Sequence, residues 1–160
     1  FNPGDGNKVK LTIQEITDQI WSSRNYYADI KAEDGKFMAV CAPYRGSLAT
    51  AEYDDENAKV QQKWADDFAM WIPNNLKPCI CRIPTTHTSM TAALIANTTA
   101  IKGVFQKVSA QFAKAYKRKA FLHHYKGDGL DETEMQEADK TLRDLITEYQ
   151  DKQDAEPDIA

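Results

Sequence analysis

Residues Phe37 to Tyr44, FMAVCAPY, make a nearly continuous apolar run between an Asp34-Gly35 turn and Gly46. Such a run reads as a β-strand with little solvent on either face, because clean alternation is expected only where one face meets water. A strand of that kind must be covered by helices. The chain is therefore expected to be an α/β protein of the two-layer α+β kind, a small mixed sheet with packed helices. Pro43 has no N–H to give to a ladder, which places the end of this strand at a bulge or an edge.

The flanking sequence supplies the helices. Thr12 with Glu15 three residues on is a capping box, and Ile13, Ile16 and Ile20 follow at helical spacing. A second helix is predicted from Thr50 to Phe68, with Glu52, Asp54, Asp55 and Glu56 near its start, Lys59 and Lys63 later, and Val60, Trp64 and Phe68 on one face. Pro73 ends that stretch, and short strands are predicted over Cys79 to Ile83 and Ser89 to Asn97. Thr99 is the expected N-cap of a third helix with Ile101, Val104, Phe105, Val108, Phe112, Ala115 and Tyr116 as its stripe. The last helix is expected to begin near Asp131, with Met135, Ala138, Leu142, Leu145, Ile146 and Tyr149 facing inward. This order divides the chain into a sheet-bearing part over 1–99, a helical part over 100–153 and a short acidic tail over 154–160.

Composition narrows the function classes. The 160 residues carry a net charge of −4 with 28% charged side chains, ordinary for a soluble globule, and no apolar run is long enough to span a membrane. The opening FNPGDGNK lacks both an initiator Met and a secretory apolar stretch, and reads as a longer chain entered at a loop. Cys41, Cys79 and Cys81 are an odd set, and their Cys-x-Cys spacing matches no zinc pattern, so they are expected to be reduced thiols in strands. GDGN and GDGL lack the spacing of phosphate-binding loops, and Asp128 with Asp131 falls short of a Ca²⁺ loop. His87, His123 and His124 have no nucleophile motif to serve, and Met38, Met70, Met90 and Met135 are expected to face the core. No catalytic, cofactor-binding or metal-binding residue is assigned, and the chain by itself is not read as an enzyme.

One feature remains for function. Lys102 to Lys126 contains seven Lys or Arg and no acid, whereas 131–160 contains eleven acids against Lys140, Arg143 and Lys152. Two solvated helix faces that attract each other would account for this, although exposed pairs contribute only about 0–1 kcal/mol each. The other account is an acidic helix that steers basic partners toward itself. Nucleic acid is excluded as the partner, since the acidic helix beside the basic segment would repel phosphates.

The ordered motifs KFMAV, YRG, WIPNN, TAI, SAQF, RKAFLHHYKGDGLDETEMQEAD and EYQ resemble the second half of a tubulin, more β-like than α-like because of WIPNN and Leu122. The resemblance covers essentially the whole chain. It implies part of the intermediate domain over 1–99 followed by the C-terminal helices, in a microtubule subunit that is cytoplasmic and cytoskeletal. It implies that Asn2, Pro3, Gly4, Asp5, Gly6, Asn7 and Lys8 lie in the loop touching the neighbouring protofilament. It implies that Trp71, Pro73, Asn74, Asn75, Lys77, Phe121, His123 and His124 face the α-tubulin-like subunit along the filament. Asp128, Leu130, Asp131, Glu134 and Glu137 match the surface where motors and microtubule-associated proteins land. GTP or GDP with Mg is implied only for a full-length parent, a GTPase by resemblance. Departures include His124 where the family usually has Trp, and RIPTTHTSM in place of a more basic, Gly-containing loop. A stand-alone module that caps filaments or binds motors without polymerising is the alternative. Exposed apolar surface and self-association are expected of this segment alone.

Overall fold

The computed structural model describes residues 11–86 and 88–156, so the expectations placed on Asn2 to Lys8 and on His87 lie outside the described residues. Helix α1, Ile13–Trp21, starts at the predicted capping box: the Glu15 amide donates to Thr12 Oγ1 while Glu15 Oε2 accepts from the Thr12 amide at 2.8 Å. Strand β1 spans Phe37–Gly46 and helix α2 spans Thr50–Lys63. Then come strands β2, Leu76–Cys81, β3, Met90–Ala92, and β4, Ile95–Thr98. Helices α3, Lys102–Lys117, α4, Leu122–Gly127, and α5, Glu132–Asp154, complete the order.

The run that opened the sequence is the centre of the sheet. β1 pairs in parallel with β2 on one side and antiparallel with both β3 and β4 on the other. Pro43 is thus on the central strand and not at an edge. Tyr44 opposes Ala92 and Cys41 opposes Ile95, so Pro43 falls opposite Ala93 in unbroken register. The Ala93 amide donates to the Pro43 carbonyl at 3.0 Å, but Pro43 has no N–H to return the bond. This missing bond is why the single strand predicted over Ser89 to Asn97 appears as β3 and β4 with a gap between them. The irregularity in the ladder lies between Phe37 and Ala39, at the opposite end of the strand from Pro43.

The core lies between one sheet face and α1 with α2. Phe37, Val40, Ala42 and Tyr44 point into it, and Trp21 meets Phe37 edge-on at 5.5 Å and stacks on Trp64 at 5.3 Å. Fully burying a residue such as Phe37, 2% exposed, stabilises the fold by roughly 1.5–3 kcal/mol. Tyr44 meets Tyr53 of α2 at 5.3 Å, and its hydroxyl shares a 2.9 Å hydrogen bond with Thr17 of α1, tying both helices to the central strand. Glycine is required at Gly35 for space: a Cβ there would lie 2.3 Å from the Ala100 amide nitrogen.

Several local expectations are corrected. α2 stops at Lys63 because the chain tightens into a 3₁₀ turn over Ala65–Asp67, which still turns Phe68 into the core. β2 begins at Leu76, earlier than predicted, where Leu76 pairs with Val40. Thr98, not Thr99, caps the next segment, a 3₁₀ turn over Thr99–Ile101 that runs into α3. Thr99 is instead fully buried; its Oγ1 accepts from the Lys36 amide and donates to Gln153 Oε1, both at 2.8 Å. Met38, Met90 and Met135 are half-buried, whereas Met70 is 82% exposed and faces no core.

Helices α3 and α5 form an antiparallel hairpin, with Phe105 beside Tyr149 at one end and the Tyr116 hydroxyl accepting from Gln136 at the other. Neither helix contains a fully buried residue. The hairpin is anchored where Lys102 Nζ donates to Gln150 Oε1 at 2.7 Å and Thr99 meets Gln153.

Candidate functional site

The residues expected to face a filament neighbour occupy two separate places. Trp71, half-buried in the turn after α2, donates its indole N–H to the Lys152 carbonyl at 3.0 Å, and the Lys152 ammonium lies 5.8 Å from its ring centroid. Pro73 and Asn74 beside it are exposed, Asn74 with φ of 53°. Asn75 turns inward: its side-chain amide donates to the Ala69 carbonyl and its own carbonyl accepts from Val40 at 2.7 Å, so it starts β2. Lys77 is exposed on β2.

The second group surrounds α4. Phe121 adopts the left-handed region at φ 59° and is 69% exposed, with the His124 ring stacked 6.4 Å away. His123 and His124 are both exposed, their ring centroids 4.0 Å apart. Leu122 is the anchor between them, the buried residue of the six-residue helix. That anchor holds the aromatic and imidazole side chains outward.

α5 separates the two groups. Trp71 contacts Lys152 near its C-terminal end, while Lys126 of α4 pairs with Glu132 in its first turn at 2.6 Å. Twenty residues at 1.5 Å rise put these ends roughly 30 Å apart. The Trp71 group and the Phe121 group therefore form two patches at opposite ends of one rod.

The acidic residues singled out for partner docking lie at one of those ends. Asp128, Leu130, Asp131, Glu134 and Glu137 are all exposed. Asp131 and Glu134 also serve the helix: Asp131 Oδ1 accepts from the Glu132 amide at 2.6 Å, and Glu134 Oε2 accepts from the Asp131 amide at 3.0 Å. Glu132, which sequence reading did not single out, pairs with Lys126; that hydrogen bond and charge hold its carboxyl below the ordinary range and raise the Lys126 ammonium. Among the described residues no ion pair joins α3 to α5, so the opposite charges of the two helices do not clasp the hairpin. Of the α5 acids, Glu132 pairs with Lys126 of α4 and Asp139 with Arg143 within the helix, and the others make no ion pair among the described residues.

Two other features bear on chemistry. A concavity of about 880 Å³ runs between α1 and the β3–β4 side of the sheet, lined by Ile16, Ile20, Tyr26, Ile30, Met90 and Leu94, and holds none of the residues expected to meet filament neighbours or docking partners. Among the described residues no three His, Cys, Asp or Glu converge as metal ligands, and no helix is long and apolar enough to cross a membrane.

Comparison with known proteins places this architecture. The family model of the tubulin C-terminal domain matches residues 3–110. The chain is 42% identical over 148 residues to a tubulin beta-7 chain of Gossypium hirsutum, an alignment covering 92% of this chain and 33% of that one. It is 40% identical over 148 residues to a nucleomorph tubulin beta chain of Guillardia theta, covering 92% and 34%. A tubulin beta chain of Cicer arietinum is 40% identical over 152 residues, covering 95% and 34%. The chain thus spans about a third of the length of the curated relatives it matches.

Proposed function

The chain belongs to the tubulin family, which it enters through the C-terminal domain, and from that premise we propose that it serves as part of a β-like subunit of a microtubule-type filament. The observation that carries the reading is the separation of the two patches along α5. A subunit in a head-to-tail polymer needs two different faces at opposite ends, because a heterologous contact that does not close generates an open filament. The Trp71 and Phe121 groups meet that requirement with unlike chemistry: a turn with Pro73, Asn74 and Lys77 at one end, exposed aromatic and imidazole rings at the other. The partners on this reading are α-tubulin-like subunits.

On the same reading the exposed acids at the start of α5 display negative charge outward for motors and associated proteins. Steering by such a surface weakens with salt over a Debye length of about 8 Å at physiological ionic strength. Lateral contact through Asn2 to Lys8, a cytoskeletal location, and GTP with Mg held by the rest of a full-length protein complete the proposal, with no residue of this chain assigned to hydrolysis.

The test is co-assembly of the full-length protein with an α-tubulin partner, measured by sedimentation. Phe121→Asp and Asn74→Glu are each expected to lower the pelleted fraction severely, while mixing the two variants does not restore long polymer. Unchanged pelleting by both would remove the head-to-tail reading. A protein of about 18 kDa in its source, without nucleotide, would favour a capping module instead.

A further inference from the structure

The groove beside Trp71 is a pocket in its own right. About 290 Å³ of space lies between the second half of α5 and the turn after α2, lined by the half-buried Met38, Trp71 and Tyr149, by Leu145, and by the exposed Glu148 and Lys152. Both aromatic rings are held in place. The Trp71 indole N–H is fixed on the Lys152 carbonyl at 3.0 Å, and Tyr149 packs against Phe105 of α3 with ring centroids 6.2 Å apart.

Two observations identify the charge of an occupant. The Lys152 ammonium stands 5.8 Å from the Trp71 ring centroid, within the range over which a cation is drawn to an aromatic face, so the pocket already accepts a cation. Glu148 lies one helical turn before Lys152, the spacing and order that favour a Glu–Lys pair on a helix, yet among the described residues Glu148 makes no ion pair. Lys152 turns to the indole instead and leaves the carboxylate unmatched. A purely apolar occupant would take water from that carboxylate and return nothing. A Lys or Arg side chain suits both parts of the lining, its stem against Met38 and Leu145 and its charged end between Glu148 and the rings.

We propose that this pocket receives a Lys or Arg side chain of the neighbouring subunit, and that Lys152 is the internal competitor it displaces. The inference rests on the filament reading above and extends the Trp71 patch from its turn onto the last turns of α5. Displacement costs little, because the exposed Lys152 gives up only a surface contact.

The test is the critical concentration for co-assembly of the full-length protein with an α-tubulin partner, which follows the dissociation constant of subunit addition and is read by sedimentation. Lys152→Ala keeps the carbonyl that holds Trp71 and removes the competitor, so it is expected to lower the critical concentration about 2- to 5-fold, the ratio a surface cation–ring contact supplies. Glu148→Gln is expected to raise it about 2- to 5-fold. Lys140→Ala removes an exposed α5 charge outside the pocket and is expected to change nothing, which separates the pocket from the net charge of the helix. A Lys140→Ala shift equal to that of Lys152→Ala overturns the proposal, as does a fall in critical concentration with Glu148→Gln, the sign expected of an apolar occupant. No change in Lys152→Ala and Glu148→Gln while Asn74→Glu still lowers pelleting removes the pocket and leaves the filament reading; no change in any of the three removes both.

Discussion

The sheet layer and the helical hairpin solve the same problem to different extents. Around β1, Phe37, Val40 and Tyr44 are at most 2% exposed and an aromatic cluster of Trp21, Phe37, Trp64 and Phe68 fills the space beneath α1 and α2. In the hairpin, α3 and α5 carry clear apolar stripes yet bury no residue fully, and Val108 remains 50% exposed. A stripe that contacts a single neighbouring helix is covered on one side only. The hairpin therefore takes much of its order from its anchors, Thr99 and Lys102 with Gln150 and Gln153, and Trp71 with Lys152. The element that carries the proposed docking acids is the one with the least core of its own, and functional segments are drawn from the low-stability end of a structure.

The largest expected effect tests that asymmetry directly. Phe37→Ala is expected to lower the unfolding free energy by about 3–5 kcal/mol, whereas Leu142→Ala, at a half-buried site on α5, is expected to cost about 1–2 kcal/mol. Denaturant unfolding of the two variants measures both, and equal losses would erase the distinction between the layers.

A smaller effect sharpens the account of the anchor. Thr99→Val keeps the shape but strands the Lys36 amide and frees Gln153, for an expected cost of about 1–3 kcal/mol. Amide exchange is expected to quicken over the last turns of α5 before it does in β1. Exchange that rises uniformly across both regions would mean the anchor belongs to the sheet and not to the hairpin.

The smallest effect concerns pH at the α4–α5 turn. Glu132 titrates below its ordinary value of 4.5, so its contribution is complete above that value and is lost as pH falls through the lowered one. Lys126 titrates above its ordinary value of 10.5, so its contribution is complete below that and is lost as pH rises through the raised one. Amide chemical shifts at Leu130 and Asp131 are expected to hold steady between these limits and move outside them, with little change in β1. Glu132→Gln is expected to abolish the acid limb.

Much of this was legible in local sequence. The boxes Thr12 with Glu15 and Asp131 with Glu134 each involve residues three apart, so composition at fixed spacing sets them, and both helices begin where those residues stand. The apolar run of β1 and the stripes of α3 and α5 were readable for the same reason. Family membership was carried by ordered motifs, each a short string. The misreadings share a cause: Thr99 has the side chain of a cap, yet its partners are Lys36 and Gln153, 63 and 54 positions away.

By itself the sequence determined most of the helices and strands, the starts of α1, α2 and α5, and the apolar stripes of the long helices, because those properties depend on neighbours within a turn or two; the short helix α4 was not among the predicted elements. Only the tertiary structure decided that Pro43 would interrupt a strand far along the chain and that Cys41, Cys79 and Cys81 would share one face of the sheet. It also set the Trp71 and Phe121 groups at opposite ends of α5. Each of these follows from strand register or helix packing, where the partner is chosen by the burial of many other residues and leaves no mark on the spacing of the residues concerned.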